Sequence, residues 1–275
     1  MTRRGVSLLE MLVALVVGAV LLVMALRVQL VLDRVGRSRT ERAGAAHTLR
    51  TAAAVLGAEL GTLAADSVGG ADLRSVAGGI EYRAGRGLWI GCGAGPDSVV
   101  LAAGPLAAWR SRLPVPGRDS LLLYLAGDSG SVNAWLPAPV LAAGIGSVCP
   151  DGTAGLALRT VVDSSRLAVL RLPTVVRVFE VVALREYGSG GTWQLGLEPR
   201  SGGGVVQPVA GPLAGPGGFG VSYWDRAGMP AGAPTAAGLD VMIRALARAE
   251  VGLGPGWAPA AADSLFVRVP FGGIR

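Results

Sequence analysis

The chain has 275 residues, 51% of them hydrophobic and 5% aromatic, with 43 glycines, and this glycine-rich, aromatic-poor make-up reads as short strands and turns rather than a helical bundle. All 25 basic residues are arginine and the formal net charge is +6. The arginines are scattered and lack the interleaved aromatics of a base-stacking platform, so nucleic acid is not the expected partner.

The N-terminus carries the most specific pattern in the chain. A short basic leader, residues 1–5 with Arg3 and Arg4, ends in Gly5 directly before an apolar run over residues 6–26. As a helix that run is roughly 32 Å long, close to the ~30 Å hydrocarbon core of a bilayer. It holds a single carboxylate, Glu10, near its start. A carboxylate in a spanning helix costs on the order of 2.5–3.5 kcal/mol at the centre, so Glu10 calls for a partner or a function. A cleaved secretory signal fits poorly: its apolar region would be about 7–15 residues and end at small residues, whereas this one ends at Leu26 and Arg27.

The string Gly5-Val6-Ser7-Leu8-Leu9-Glu10-Met11-Leu12-Val13-Ala14-Leu15 resembles the type IV prepilin cleavage and methylation signal, in which glycine precedes the cut and glutamate is fifth after it. Val6 departs from the phenylalanine usual in that family at the first mature position. The resemblance implies that a prepilin peptidase cuts between Gly5 and Val6, methylates the new amine of Val6 and leaves the apolar helix on the protein. It further implies that Glu10 pairs with the N-terminal amine of a neighbouring subunit, an opposite charge that offsets burial. An ordinary signal anchor is the plainer alternative.

Helical spacing continues beyond the apolar run. Leu49, Ala53, Leu56, Leu60 and Leu63 recur at three- and four-residue intervals with Arg50 and Glu59 between them, which predicts a helix to about Gly61 with one face packed on a body. Gly18, Gly36 and Gly44 are points where it can bend. Arg27, Arg34, Arg37, Arg39 and Arg42 follow the apolar run, and positive-inside counting over them favours the orientation opposite to the one that the cleavage motif implies. The motif, flanked closely by Arg3 and Arg4, takes precedence, with Asp33 and Glu41 placed to pair with these arginines.

Strand-like segments then follow at 79–83, 88–91, 98–102, 120–126, 155–159, 167–172, 175–187, 192–197, 219–224, 239–248 and 265–269. In the last but one, Leu239, Val241, Ile243 and Ala245 share one face, and Asp240, Met242, Arg244 and Leu246 the other, the period-2 mark of a half-buried strand. Gly/Pro-rich stretches at 69–79, 202–204, 211–220 and 252–262 read as spacers. The expected class is α+β: a leader (1–5), a transmembrane half-helix (6–26), an exported half-helix (27–65) and a mainly antiparallel β-rich body (66–275).

The run Phe219 to Gly228 with the strand after it, and Asp119 to Tyr124 earlier, are similar to the body of W-type minor pilins and J-type minor pseudopilins. The implied function is a structural subunit that assembles into, or primes the tip of, a type IV pilus-like filament. Its implied partners are prepilin peptidase, other pilin or pseudopilin subunits and an inner-membrane assembly platform. The implied location is the inner membrane, single-pass, with the body outside the cytoplasm. A minor pseudopilin of a type II secretion system, a signal-anchored periplasmic binding module and a DNA-uptake pilin are the alternatives.

Export to an oxidising compartment lets Cys92 and Cys149, the two cysteines, form a disulfide. A metal site on them is the poorer reading, because the single histidine, His47, lies far off on the helix. Gly127-Asp128-Ser129-Gly130 and Ala45-Ala46-His47 resemble the serine and histidine motifs of chymotrypsin-like proteases, yet stand too close in sequence to be carried by two barrels. The first is better read as a hairpin turn. Gly91 to Gly95 opens no amphipathic helix and so fails as a phosphate loop. Neither catalysis, a cofactor nor a metal is expected.

Overall fold

A computed structural model describes residues 8–61, 63, 72–103, 109–110, 112–126, 134–162, 164–168, 170–246 and 262–271. One long helix, α1 (Leu8–Leu60), leads into thirteen strands: β1 (Leu73–Val76), β2 (Gly79–Ala94), β3 (Ser98–Ala102), β4 (Trp109–Arg110), β5 (Asp119–Leu125), β6 (Ala134–Val148), β7 (Ala154–Thr160), β8 (Thr174–Ser189), β9 (Thr192–Pro199), β10 (Gln207–Leu213), β11 (Phe219–Trp224), β12 (Gly238–Leu246) and β13 (Ala262–Pro270). A short helix, α2 (Ser164–Ala168), precedes β8. Every strand pairing among the described residues is antiparallel, so the chain has the α+β pilin-like arrangement of a long N-terminal helix and an antiparallel body.

The 53 residues of α1 extend about 80 Å. The helix is continuous through Gly18, Gly36, Gly44 and Gly57. It buries Ala45, Leu49, Ala52, Leu56 and Leu60, residues that fall on one stripe at three- and four-residue spacing. From Leu8 to Val35 the large apolar side chains are all exposed. The helix therefore has two halves with different surroundings: a bare apolar rod and an amphipathic segment docked on the sheet.

The body has two cores joined by two shared strands. Strands β2, β3, β7, β6, β5 and β8 pair in that order, and β8 pairs back to β2, closing a six-stranded ring. Its interior is filled by Trp89, Leu101, Leu121, Leu123, Leu158, Val176 and Val178. The other ends of β2 and β8 enter a second sheet, β1-β2-β8-β9-β10-β12, with β11 and β13 on either side of β12. This sheet carries α1, and Leu56, Leu60 and Leu63 meet Ile80, Leu184, Leu195, Leu239, Val241 and Ile243 in one core. The changeover lies in β8, whose edge pairs with β5 through Glu180 and with β9 from Val182.

Strand β12 follows its sequence pattern: Leu239, Val241, Ile243 and Ala245 are fully buried, and the alternate residues are not. Other expectations fail for physical reasons. Residues 167–172 do not form a strand. Leu167 and Leu170 are three apart, which in a strand would place them on opposite faces, and the α2 turn instead brings both into the ring core. The stretch 211–220 is not all spacer, since β10 runs through Gly211 and Pro212 to Leu213, its register against β9 broken by bulges. Strand β6, 15 residues long, has no counterpart among the expected segments. Its Leu136, Ala138 and Val140 are buried while Pro137, Pro139 and Leu141 face out. Both prolines pair only with β5, because β7 joins from Val140 onward, so neither has to donate to a second neighbour.

Candidate functional site

The structure places Glu10 on α1, near the start of the described residues. Around it Leu8, Leu9, Met11 and Leu12 are exposed, Leu8 to 84%. An 18-residue window of this helix has a mean hydropathy of 2.7 with none of it buried inside the protein, so it is long and apolar enough to cross a membrane. Among the described residues its apolar surface has no partner. Gly5 and Val6, the expected cut and methylation positions, lie outside the described residues, as does the turn 127–130.

Beyond the apolar run the arginines project from a bare helix. Asp33 and Glu41 form no ion pair with them or with any other described residue, so the expected relief of charge along this face does not occur. His47 sits on an exposed position of α1. Among the described residues, no three His, Cys, Asp or Glu side chains stand together as a metal set.

Cys92 on β2 and Cys149 after β6 form a disulfide with their Cα atoms 5.5 Å apart. It staples the far end of the ring, where β2 turns into β3, to the end of β6.

The docked half of α1 is fixed by an ionic junction that crosses both cores. Arg86 on β2 donates to Glu59 of the helix at 3.2 Å and to Glu180 of β8 at 3.0 Å. Glu180 has no exposed surface and is also held by Arg118 at 2.5 Å and Arg112 at 3.2 Å. Arg112 in turn grips Asp119, whose carboxylate also accepts from the Val115 N–H at 2.7 Å. The hydroxyl of Tyr82 donates to Glu59 at 3.4 Å. Three acids thus face three arginines. Burial pushes the Glu180 carboxyl up, but the hydrogen bonds from Arg118 and Arg86 outweigh it and hold the group below the usual carboxylate range. Burial pushes the Tyr82 hydroxyl well above its ordinary value. The partners come from α1, β2, β5 and β8 and the segment before β5, and no local spacing in the sequence announces them.

Chemically, the described parts offer an apolar rod with one carboxylate near its start, continuous with a helix docked on a disulfide-stapled body. Residues 1–26, which include Gly5, Val6 and Glu10, match the family described as the prokaryotic N-terminal methylation motif. No curated protein and no solved structure matches the chain. The matched motif, the long apolar helix that carries it and the antiparallel body behind it together support a type IV prepilin-like protein, a pilin or pseudopilin.

Proposed function

We propose that the chain is a minor pilin or pseudopilin, a structural subunit that assembles into, or primes the tip of, a type IV pilus-like filament. Prepilin peptidase removes residues 1–5 between Gly5 and Val6 and methylates the Val6 amine. The apolar half of α1 holds the subunit in the inner membrane, with the body outside the cytoplasm, until the assembly platform draws it into the filament. There the same rod packs among other helices, and Glu10 pairs with the methylated amine of a neighbour. The subunit works by assembly, not by chemistry.

The observation that carries this reading is the division of α1. A helix whose first half is largely apolar and unburied, and whose second half is anchored by Leu56, Leu60 and the Glu59–Arg86 bridge, fits a membrane first and a helical core afterwards. The test is intact and N-terminal peptide mass spectrometry on membrane-extracted protein made with and without an active prepilin peptidase. A chain that starts at N-methyl-Val6 only when the peptidase is active supports the reading. A chain that keeps Met1 or Thr2 under both conditions reduces it to a signal-anchored domain.

A further inference from the structure

The apolar character of α1 does not stop at Leu26. Val28, Leu30, Val31, Leu32 and Val35 are exposed on the bare half of the helix. Among them stand Arg27 and Arg34, with Arg37, Arg39 and Arg42 just beyond, all five exposed as well. Among the described residues none of the five forms an ion pair, although Asp33 and Glu41 lie on the same stretch. Five guanidinium groups thus carry unanswered charge on a helix that is long and apolar enough to cross a membrane.

Arg27 and Arg34 are seven residues apart, two helical turns, so they project from one face about 10 Å apart along the axis, with Val31 between them. A hydrocarbon layer of ~30 Å takes about 20 residues of helix, and two seatings of this helix fill it. With residues 6–26 inside, Glu10 lies within the layer, and Val28, Leu30 and Val31 face water. With residues 11–31 inside, those three are covered and Glu10 stands at the opposite boundary, where a carboxylate costs less than at the centre. Arg27 is then about 6 Å inside the edge, a depth from which its long side chain snorkels outward, and Arg34 is about 5 Å outside it. Both guanidinium groups reach the level of the lipid phosphates. Arg37, about 9 Å beyond the edge, stands within a Debye length of them.

We propose that Arg27 and Arg34, reinforced by Arg37, bind the phosphate groups of anionic lipids in the leaflet on the body's side of the membrane. The proposal rests on the reading that the apolar half of α1 is inserted in a membrane. Arginine suits the task, because its planar fork binds two phosphate oxygens at once while its apolar stem lies along hydrocarbon. Another copy of this chain is the wrong partner for these charges. Over residues 8–42 each copy brings five arginines against Glu10, Asp33 and Glu41, so a neighbour adds to the excess. An anionic leaflet offsets it, by about fivefold in affinity for each arginine near the surface. The same contact gives a use, on the body's side, to an arginine cluster that positive-inside counting assigns to the other.

The test uses the full-length protein purified in mild detergent with equal amounts of phosphatidylglycerol and phosphatidylcholine, the lipids retained on the chain being counted by mass spectrometry. The natural chain should retain phosphatidylglycerol in preference to phosphatidylcholine, and raised salt should weaken the preference. Arg27→Gln and Arg34→Gln should each lower it about fivefold. Arg27→Lys, which keeps the charge, should keep most of it. Arg50→Gln removes an exposed arginine about 24 Å further along the helix than Arg34 and should leave it unchanged. Equal retention of the two lipids by the natural chain, or glutamine variants that behave like it, overturns the proposal. So does an Arg50→Gln loss as large as theirs, which would reduce the effect to net charge. Displacement of phosphatidylglycerol by excess inorganic phosphate would make the ligand a free anion and also overturn it. An alkaline carbonate wash of membranes reports on the underlying reading separately. A chain released by the wash is not inserted, and the reading and the proposal fall together; a chain that resists the wash but holds both lipids alike keeps the reading and loses the arginine contact.

Discussion

Arg86 Nε stands 3.0 Å from Glu180 Oε2 at the point where β8 leaves the closed ring for the helix-bearing sheet, and the same guanidinium reaches Glu59 on α1. A single arginine therefore ties the helix to both cores. Without it the two lobes would still share β2 and β8, but the helix would lose the ion pair that links Glu59 to Glu180 through one guanidinium.

Removing the acid at the centre of this junction should cost more than removing an arginine at its rim. Glu180→Ala leaves Arg86, Arg112 and Arg118 facing one another around a buried gap, and breaking a buried ion pair from one side costs about 3–5 kcal/mol. The Arg118 side chain is 42% exposed, and Arg118→Ala should cost about 1 kcal/mol or less. Denaturant unfolding of the processed protein in detergent reads both. Equal losses would show that Glu180 is not the centre of the network.

The same residue sets an acid limit. Its carboxyl is held below the usual range in the folded protein, so the unfolded chain takes up this proton first as the pH falls. The stability from Glu180 is complete above the ordinary glutamate pKa of about 4.3 and is lost as the pH drops through the lowered folded value. Unfolding midpoints measured from pH 7 to pH 3 should fall more steeply for the natural protein than for Glu180→Gln. Parallel curves would remove Glu180 from the acid response.

Along α1, the same leucine-to-alanine change should have opposite consequences in the two halves. Leu56 is 1% exposed in the core shared with Leu184, Leu195 and Leu239, so Leu56→Ala should destabilise the body by about 2–5 kcal/mol. Leu21 is 60% exposed on the bare half, and Leu21→Ala should leave the unfolding midpoint of the body within about 0.5 kcal/mol. A body indifferent to Leu56→Ala would mean that the helix does not complete its core.

How much of this was legible in the sequence depends on range. Glu10 in its apolar run, the leucine stripe of α1 and the alternation of β12 are local periodicities, and the structure follows them. The fold class followed too. The closed ring was not legible, because β2 reaches β8 and β3 reaches β7 across long stretches of chain, and its long strand β6 is punctuated by Pro137 and Pro139. Those prolines suit a strand half that has one neighbour, a fact visible only after β7 is placed. The Glu59–Arg86–Glu180 junction was hidden for the same reason, its members being ordinary surface-type residues until three elements converge.

The Cys92–Cys149 disulfide should contribute about 4 kcal/mol by restricting the unfolded chain, given the loop of this length that it closes. Cys92→Ser with Cys149→Ser should lower the unfolding midpoint accordingly and abolish the mobility difference between reduced and non-reduced gels. The ring end, far from α1, should loosen first. Hydrogen exchange that rises at β3 and the end of β6 before it rises at β12 is the expected pattern, and uniform loosening would place the effect elsewhere.

At the N-terminus, cleavage and assembly should separate. Glu10 lies on α1, within the matched motif but on the mature side of the proposed cut. Glu10→Ala removes a carboxylate that is costly to carry into an apolar setting, so anchoring in the membrane should be unharmed and processing largely intact. What is lost is the opposite charge for a neighbour's amine, and incorporation into filaments should fall. Normal incorporation of Glu10→Ala would sink the pairing role. A bulky replacement at Gly5 should act one step earlier by blocking the cut, so that the chain keeps its leader, whereas Gly5→Ala should be partly tolerated. The two defects differ in mass at the N-terminus, so one spectrum of each variant assigns cleavage to Gly5 and assembly to Glu10, or refuses the assignment.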